Sequence, residues 1–413
     1  MLALGALTAV NLLNYLDRYV VSALLPDLKR APLFLSDLQL GTLMSGFLLV
    51  YLLAAPVFGR LGDRGARTRP IAVGVLLWSI ATALSGLARS YGELLAARAL
   101  VGIGEAAYGT IAPALLADYF PLATRGRSLA VFNMAIPVGA ALGYIVGGVV
   151  DHHFGWRAAF FIAGVPGMLL AFAVLRLRDP PRGALDAPAA TPPAPMPGGN
   201  AFTDSLAVYG RLLRGRTYLL TVLGYAAYTF ALGGLAFWMP TFLERVRHVP
   251  AVRSTAGFGE IVVVTGFLGT FAGGWLGDFL LRRSRWAYLW MSGWVTLLAV
   301  PAVWLALASG NAPVFYGSLV AAELLMFMST GPINTAIVNL VHPGDRASAL
   351  ALSVFVIHAL GDVISPSIIG ALSDRFTLGT AVLIVPLAAA VSGILWLMAA
   401  RTAPREQPLA ATA

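Results

Sequence analysis

Apolar runs of about 20 residues recur along the whole of this 413-residue chain, separated by short stretches that hold nearly all of its charge. A run of that length, wound as a helix, crosses the hydrocarbon of a bilayer. Only 11% of the residues are charged, against roughly a quarter in a soluble domain, and 58% are hydrophobic. The mean hydropathy is +0.80. The pattern predicts an all-α, polytopic membrane protein.

Twelve spans are expected, at 2–26, 37–58, 70–88, 92–118, 126–150, 157–176, 217–242, 256–281, 286–308, 313–340, 346–371 and 377–400. Between the sixth and seventh lies a Pro-, Ala- and Gly-rich stretch that cannot bury a core, a linker with an amphipathic helix expected near 203–214. The organisation is therefore an N-terminal six-helix bundle (1–176), a cytoplasmic linker (177–216), a C-terminal six-helix bundle (217–401) and a cytoplasmic tail (402–413). The net charge of +9 sits in short loops, the distribution expected of loops facing anionic lipid rather than nucleic acid. The Arg-rich stretches at 59–70, 176–216 and 276–285 fall on one side if spans alternate, which puts both termini in the cytoplasm. The first run lacks a basic leader and a cleavage site, so it reads as a span rather than a signal peptide, and its abrupt apolar start implies a short polar leader upstream. With no Cys, thiolate chemistry is excluded.

The two halves echo one another. GRLGDRGARTR follows the second span and GGWLGDFLLRRSR the eighth. Gly59, Gly62 and Asp63 are matched by Gly274, Gly277 and Asp278, and clustered arginines follow: Arg64 and Arg67 in one loop, Arg282 in the other. An internal repeat of this kind is typical of secondary transporters. The duplicated loop resembles the signature loop of the major facilitator superfamily, with Ala66 where that loop has a second Gly. The resemblance implies two pseudo-symmetric six-helix bundles. Gly59 and Gly62 are expected to let helices approach closely, and Asp63 to meet a helix N-terminus or an Arg and so hold one closed state.

Within the superfamily, four stretches resemble the Spinster family of lysolipid and sphingolipid transporters: NYLDRYVVSALLPDL (14–28), GIGEAAYGTIAPALLADYFP (102–121), IPVGAALGYIVGG (136–148) and HALGDVISPSIIGALSD (358–374). The first two are also close to motifs of organic-anion symporters. The last favours Spinster.

Asp17 and Arg18 stand inside the first span, where an ionisable group is costly and should be paired and functional. Neighbouring helical residues point about 100° apart, so each must find a partner elsewhere. Asn11, Asn14 and Tyr15 share the polar stripe of Arg18, and the fourth span offers Arg98 and Glu105, two turns apart on one face. A buried cluster of Asp17, Glu105, Arg18 and Arg98 is expected, either as a structural clasp or as a coupling and substrate site. A dinucleotide-binding reading of GIGEAAYG fails, because no strand precedes it.

In the second half, Glu323 lies deep in the tenth span, with Met326, Phe327 and Thr330 on its face. His358 and Asp362 are one turn apart in the eleventh, placed to meet each other or one ligand. Gly139, Gly143 and Gly147 are spaced for close helix packing. Tyr15, Tyr51, Tyr108, Phe230, Trp238 and Phe327 are pocket candidates, and Trp156–Arg157 an interface anchor. His152 and His153 fall in an external loop, and no metal site is expected.

No nucleophile set or phosphate loop is present, so neither an enzyme nor a cofactor is expected, and an ion gradient is the energy source. The reading is a proton-coupled transporter of a lysophospholipid- or sphingolipid-like amphipath. Asp17, Glu105 and Glu323 would carry protons, and Arg18, Arg98, Asn14, Tyr15, Tyr108, Phe327, His358 and Asp362 would contact substrate. The alternative is a symporter of small organic anions such as sugar acids. A receptor or lipid-binding scaffold would leave the duplicated loops and buried acids unexplained. A monomer in a prokaryotic inner membrane is expected.

Overall fold

The structure is a computed structural model and describes residues 2–31, 33, 35–64, 66–120, 122–181, 201–284, 286–341 and 346–403. Every regular element among them is helical. Six long helices come first: α1 (Leu2–Arg30), α2 (Asp37–Arg64), α3 (Thr68–Ser85), α4 (Tyr91–Tyr119), α5 (Leu122–Phe154) and α6 (Trp156–Leu175). The linker helix α7 (Ala201–Arg214) precedes α8 (Arg216–Arg245), α9 (Ala251–Leu281) and α10 (Ala287–Ala308). The tenth expected span is divided into α11 (Ala312–Phe327) and α12 (Thr330–Asn339). The eleventh is α13 (Arg346–Ile357), a π-helical turn (His358–Asp362) and α14 (Ser365–Arg375), and the last is α15 (Leu378–Ala381) with α16 (Ile384–Thr402).

Eleven segments among the described residues are long and apolar enough to cross a membrane. Of the twelve expected spans, the one outside that set is the first, α1, which is 29 residues long. Asn11, Asn14, Asp17 and Arg18 interrupt its apolar run, and those are the residues that make it interesting.

Local signals place the helix starts. Ser36 Oγ accepts from the Gln39 amide (3.1 Å) while the Gln39 side chain accepts from the Ser36 amide (2.9 Å), a reciprocal cap for α2. Ser90 caps α4 through the Glu93 amide, and Asn311 caps α11 through the Val314 amide. Where α3 ends, Arg157 stacks on Trp156 at 4.1 Å and donates to the Gly86 and Ala88 carbonyls. His152 and His153 belong to the last turn of α5 rather than to a loop, and His153 Nδ1 lies 2.9 Å from the Val149 carbonyl.

The chain divides into two compact units. One comprises Met1–Ala194, Ala236–Val263 and Ser365–Ala381; the other comprises Pro195–Leu235, Val264–Ile364 and Val382–Ala413. In the first unit, α5 lies against α1 along a ladder of small residues. A Cβ on Gly139 would come within 2.6 Å of the Leu12 carbonyl, and one on Gly143 within 2.6 Å of the Leu16 carbonyl. Helix packing therefore accounts for that glycine spacing.

In the second unit the breaks have sequence causes. Ser329, Gly331 and Pro332 end the regular helix after Phe327. The Met326 carbonyl accepts from the Ser329 amide (3.0 Å) and from the Tyr228 hydroxyl (2.7 Å), and Ser329 Oγ meets Thr296 Oγ1 (3.1 Å). The Val363 amide reaches back five residues to the His358 carbonyl (3.1 Å), and Thr229 Oγ1 donates to the Ile357 carbonyl (3.0 Å). A Cβ on Gly361 would stand 2.1 Å from Thr229 Oγ1, so that contact requires glycine.

Candidate functional site

The charged residues of α1 and α4 meet in a crossed pattern. Arg98 Nη1 donates to Asp17 Oδ1 at 3.3 Å, with both side chains 1% exposed. Arg18 Nε donates to Glu105 Oε2 at 2.6 Å, with Glu105 fully enclosed. Adjacent positions on α1 thus reach positions two turns apart on α4, as a 100° step between neighbours requires.

The cluster is incompletely paired. Among the described residues, Arg98 Nε and Nη2, Glu105 Oε1 and Asn14 Nδ2 are buried without a hydrogen-bond partner. An unpaired buried polar group costs about 1–3 kcal/mol, and charged groups cost more. Four in one cluster mark it as a place where a further polar group can be received. Aromatic rings complete its walls. The Arg18 guanidinium lies 5.1 Å from the Tyr15 and Tyr51 ring centres and 5.3 Å from that of Phe47, and Arg98 lies 5.1 Å from Phe47. Asn11 is turned away from the cluster, donating to the Phe132 carbonyl at 3.0 Å. Tyr108 is 1% exposed and its hydroxyl donates to the Leu7 carbonyl at 2.6 Å, so in this conformation it is core rather than pocket wall.

Sequence reasoning missed Thr82. Its hydroxyl donates to Asp17 Oδ2 at 2.5 Å from α3. One hydroxyl in an apolar helix carries no pattern; only the neighbouring carboxylate singles it out.

Of the second-half residues, Glu323 is 1% exposed and its Oε2 has no hydrogen-bond partner among the described residues. Phe327 is half-buried. His358 Nδ1 lies 2.9 and 3.0 Å from the two Asp362 oxygens across the π turn, with both side chains about a quarter exposed. Asn334 Nδ2 donates to the Tyr225 hydroxyl at 3.1 Å.

The duplicated loops behave unequally. Arg67 is almost fully buried, and it donates to Asp179 (main chain 2.6 Å, Nε 2.9 Å), to the Pro180 carbonyl (2.7 Å) and to Asp118. Burial works against the charge of the Arg67 guanidinium, but its hydrogen-bonded Asp118 and Asp179 partners prevail and make it more basic. Gly62 is a close-approach position, since a Cβ there would meet Ile111 Cγ1 at 2.8 Å; a Cβ on Gly59 would meet nothing within 4 Å among the described residues, against expectation. In the second loop Gly277 lies against Tyr288, whose hydroxyl donates to Asp278 at 2.7 Å; Gly274 is open and Arg282 exposed. Asp63 and Arg64 end α2, and their side chains lie outside the described residues.

A second charged cluster surrounds the start of α2. Asp37 accepts from Lys29 (2.6 Å), Arg245 (2.7 Å) and Ser373 (2.6 Å). Asp374 accepts from the Asp37 and Leu38 amides at 2.8 Å each, a carboxylate at a helix N-terminus. Gly41 and Gly370 let α2 and α14 cross nearly backbone to backbone, since a Cβ would fall 2.2 Å from the Pro366 carbonyl or 2.3 Å from that of Asp37. Among the described residues, no group of His, Cys, Asp and Glu is arranged to hold a metal ion.

The Major Facilitator Superfamily model matches residues 7–366. Protein spinster homolog 3 of Danio rerio is 34% identical, over 96% of this chain and 84% of its own length. Protein spinster homolog 1 of Homo sapiens is 35% identical, over 91% of this chain and 73% of its own. A crystal structure of a bacterial homolog to the human lysosomal transporter Spinster, inward-facing and unoccupied, superposes with a TM-score of 0.87 at 25% identity, covering 97% of both chains. Its inward-facing, occupied counterpart gives 0.83 at 23% identity, over 97% of this chain and 96% of that one. The chain belongs to the major facilitator superfamily and is a transporter of the Spinster type, not an enzyme.

Proposed function

We propose that this protein moves a lysophospholipid- or sphingolipid-like amphipath by alternating access, driven by protons. The observation that carries the proposal is the crossed pairing in the first unit, which places two carboxylates and two guanidiniums in one buried cluster with unpaired donors. A buried carboxylate held by an arginine can exchange its partner for a proton. An arginine so released can bind an anionic headgroup, for which a guanidinium offers two parallel donors. Asp17 and Glu105 are the proton carriers on this reading, and Arg98, Arg18 and Asn14 receive the headgroup. Glu323 is a further carrier, and the His358–Asp362 pair meets substrate from the second half.

The Asp37 cluster serves as the external clasp. It lies at the end of α1 opposite the N-terminus, and with both termini cytoplasmic that end is outside. The apolar tail of the amphipath lies along the lipid-facing surface. The protein works as a monomer in a prokaryotic inner membrane.

Reconstitution in proteoliposomes tests the proposal. Uptake of a lysophospholipid should follow an imposed pH gradient and collapse with a protonophore. Transport of sugar acids in place of lysolipids would transfer the same cluster to the organic-anion alternative, and transport indifferent to the gradient would remove protons from the mechanism.

A further inference from the structure

Asp17 has two oxygens with different partners. Oδ1 faces the Arg98 guanidinium at 3.3 Å, and Oδ2 accepts from the Thr82 hydroxyl at 2.5 Å. The other charged groups acting at this site are Arg18 on the same helix and Glu105 on α4. From α3, Thr82 brings a neutral group, and it is wholly buried.

The two partners differ in what they can do when a proton arrives. A guanidinium only donates, so it offers no acceptor to the new hydrogen of an oxygen that becomes protonated, and its own bond to that oxygen weakens. A hydroxyl both donates and accepts. If the proton settles on Oδ2, the Thr82 hydroxyl can rotate, accept from the new O–H, and give its own hydrogen to the carbonyl one turn back on α3. Helical threonines readily make that bond. Thr82 is also fixed in place. A Cβ on Gly164 of α6 would lie 2.6 Å from the Ser79 carbonyl and 3.3 Å from Thr82 Cβ, so the backbones of α3 and α6 are nearly in contact there.

We infer that Thr82 is a positioning residue that makes Oδ2 of Asp17 the oxygen that takes up and releases the proton, keeping one hydrogen bond in both states while Oδ1 remains with Arg98. The inference rests on the reading of Asp17 as a proton carrier, and it adds which oxygen is used and what serves it.

Infrared difference spectra of the full protein in proteoliposomes, recorded between acidic and neutral buffer, test it without any substrate. Wild type should show a protonated-carboxyl band that Asp17→Asn removes. In Thr82→Val, which keeps the shape and deletes the hydroxyl, that band should move to the higher frequency of a carboxyl that has lost a hydrogen bond. Its half-point should move upward by about one pH unit, because the ionised form loses a donor. Thr82→Ser should restore both. A merely structural role for Thr82 would lower thermal stability and leave the half-point where it is, which would overturn the inference while Asp17 stays a carrier. An acid-induced spectrum that Asp17→Asn does not alter would overturn both.

Discussion

Arg98 engages Asp17 through a single nitrogen at 3.3 Å, while its Nε and Nη2 are buried and without a hydrogen-bond partner among the described residues. A guanidinium used on one corner is unusual in a buried ion pair, where two-pronged contacts dominate. On the proposed function this free edge receives the anionic headgroup.

Arg98→Lys should therefore weaken binding of an anionic lysolipid by about tenfold or more, although the charge is kept, because an ammonium has no planar fork. Thermal stabilisation by added ligand measures it. Equal stabilisation of the Lys variant would leave Arg98 as a structural partner of Asp17.

Asp17→Asn and Glu105→Gln should both still insert and fold, but with different losses. Asp17→Asn mimics the permanently protonated carrier, so ligand exchange without a gradient should persist while gradient-driven accumulation disappears. Glu105→Gln removes the partner of Arg18, leaving a guanidinium already 14% exposed, and should shift ligand affinity as well as coupling. Exchange and accumulation assays run side by side on each variant distinguish the two. Full gradient-driven accumulation by Asp17→Asn would pass the carrier role to Glu105 or Glu323.

Asp37→Ala should loosen the clasp at the start of α2, because Lys29, Arg245 and Ser373 lose their common acceptor. Such a change shifts a two-state equilibrium by on the order of 1–3 kcal/mol. With no native Cys, a single cysteine placed near Ser45 reports the accessibility of this crossing directly. The prediction is increased labelling, and unchanged labelling rejects the clasp.

Gly41→Val should act at the same crossing by steric means. The Pro366 carbonyl stands 2.2 Å from where a Cβ would be, and it is backbone, which cannot swing aside like a side chain. Labelling as for Asp37→Ala should result, together with a lower melting temperature; a variant that melts and labels like wild type would mean the crossing opens without cost.

The lattice of spans was legible because bilayer thickness writes itself into the length of apolar runs, and the Asp17–Arg18–Arg98–Glu105 cluster because charge in such runs is conspicuous. The 100° step between neighbours even anticipated that Asp17 and Arg18 would find separate partners. Thr82 was not legible, since a hydroxyl among Ala and Leu signals nothing until its acceptor is known. Nor was the Asp37 cluster: its members lie at 29, 37, 245, 373 and 374, and only the fold brings them together. Gly59 shows the opposite failure. It sits in a repeated motif, yet a Cβ there would meet nothing within 4 Å among the described residues, while Gly41, in no motif, is where two backbones meet.

The π turn at His358–Asp362 holds one more residue than a regular helix would use over the same rise. The surplus residue is absorbed within the turn, so α14 continues in the phase that an uninterrupted helix would give it. Each residue advances a regular helix by about 100°, so deleting one of the five would let the hydrogen bonds run on unbroken and leave Ser373 and Asp374 on Asp37. A deletion in the first turn of α14 would instead turn those side chains away and put a bulkier neighbour in the place of Gly370. The chain can thus change its length by one residue at this turn, and not between it and the crossing.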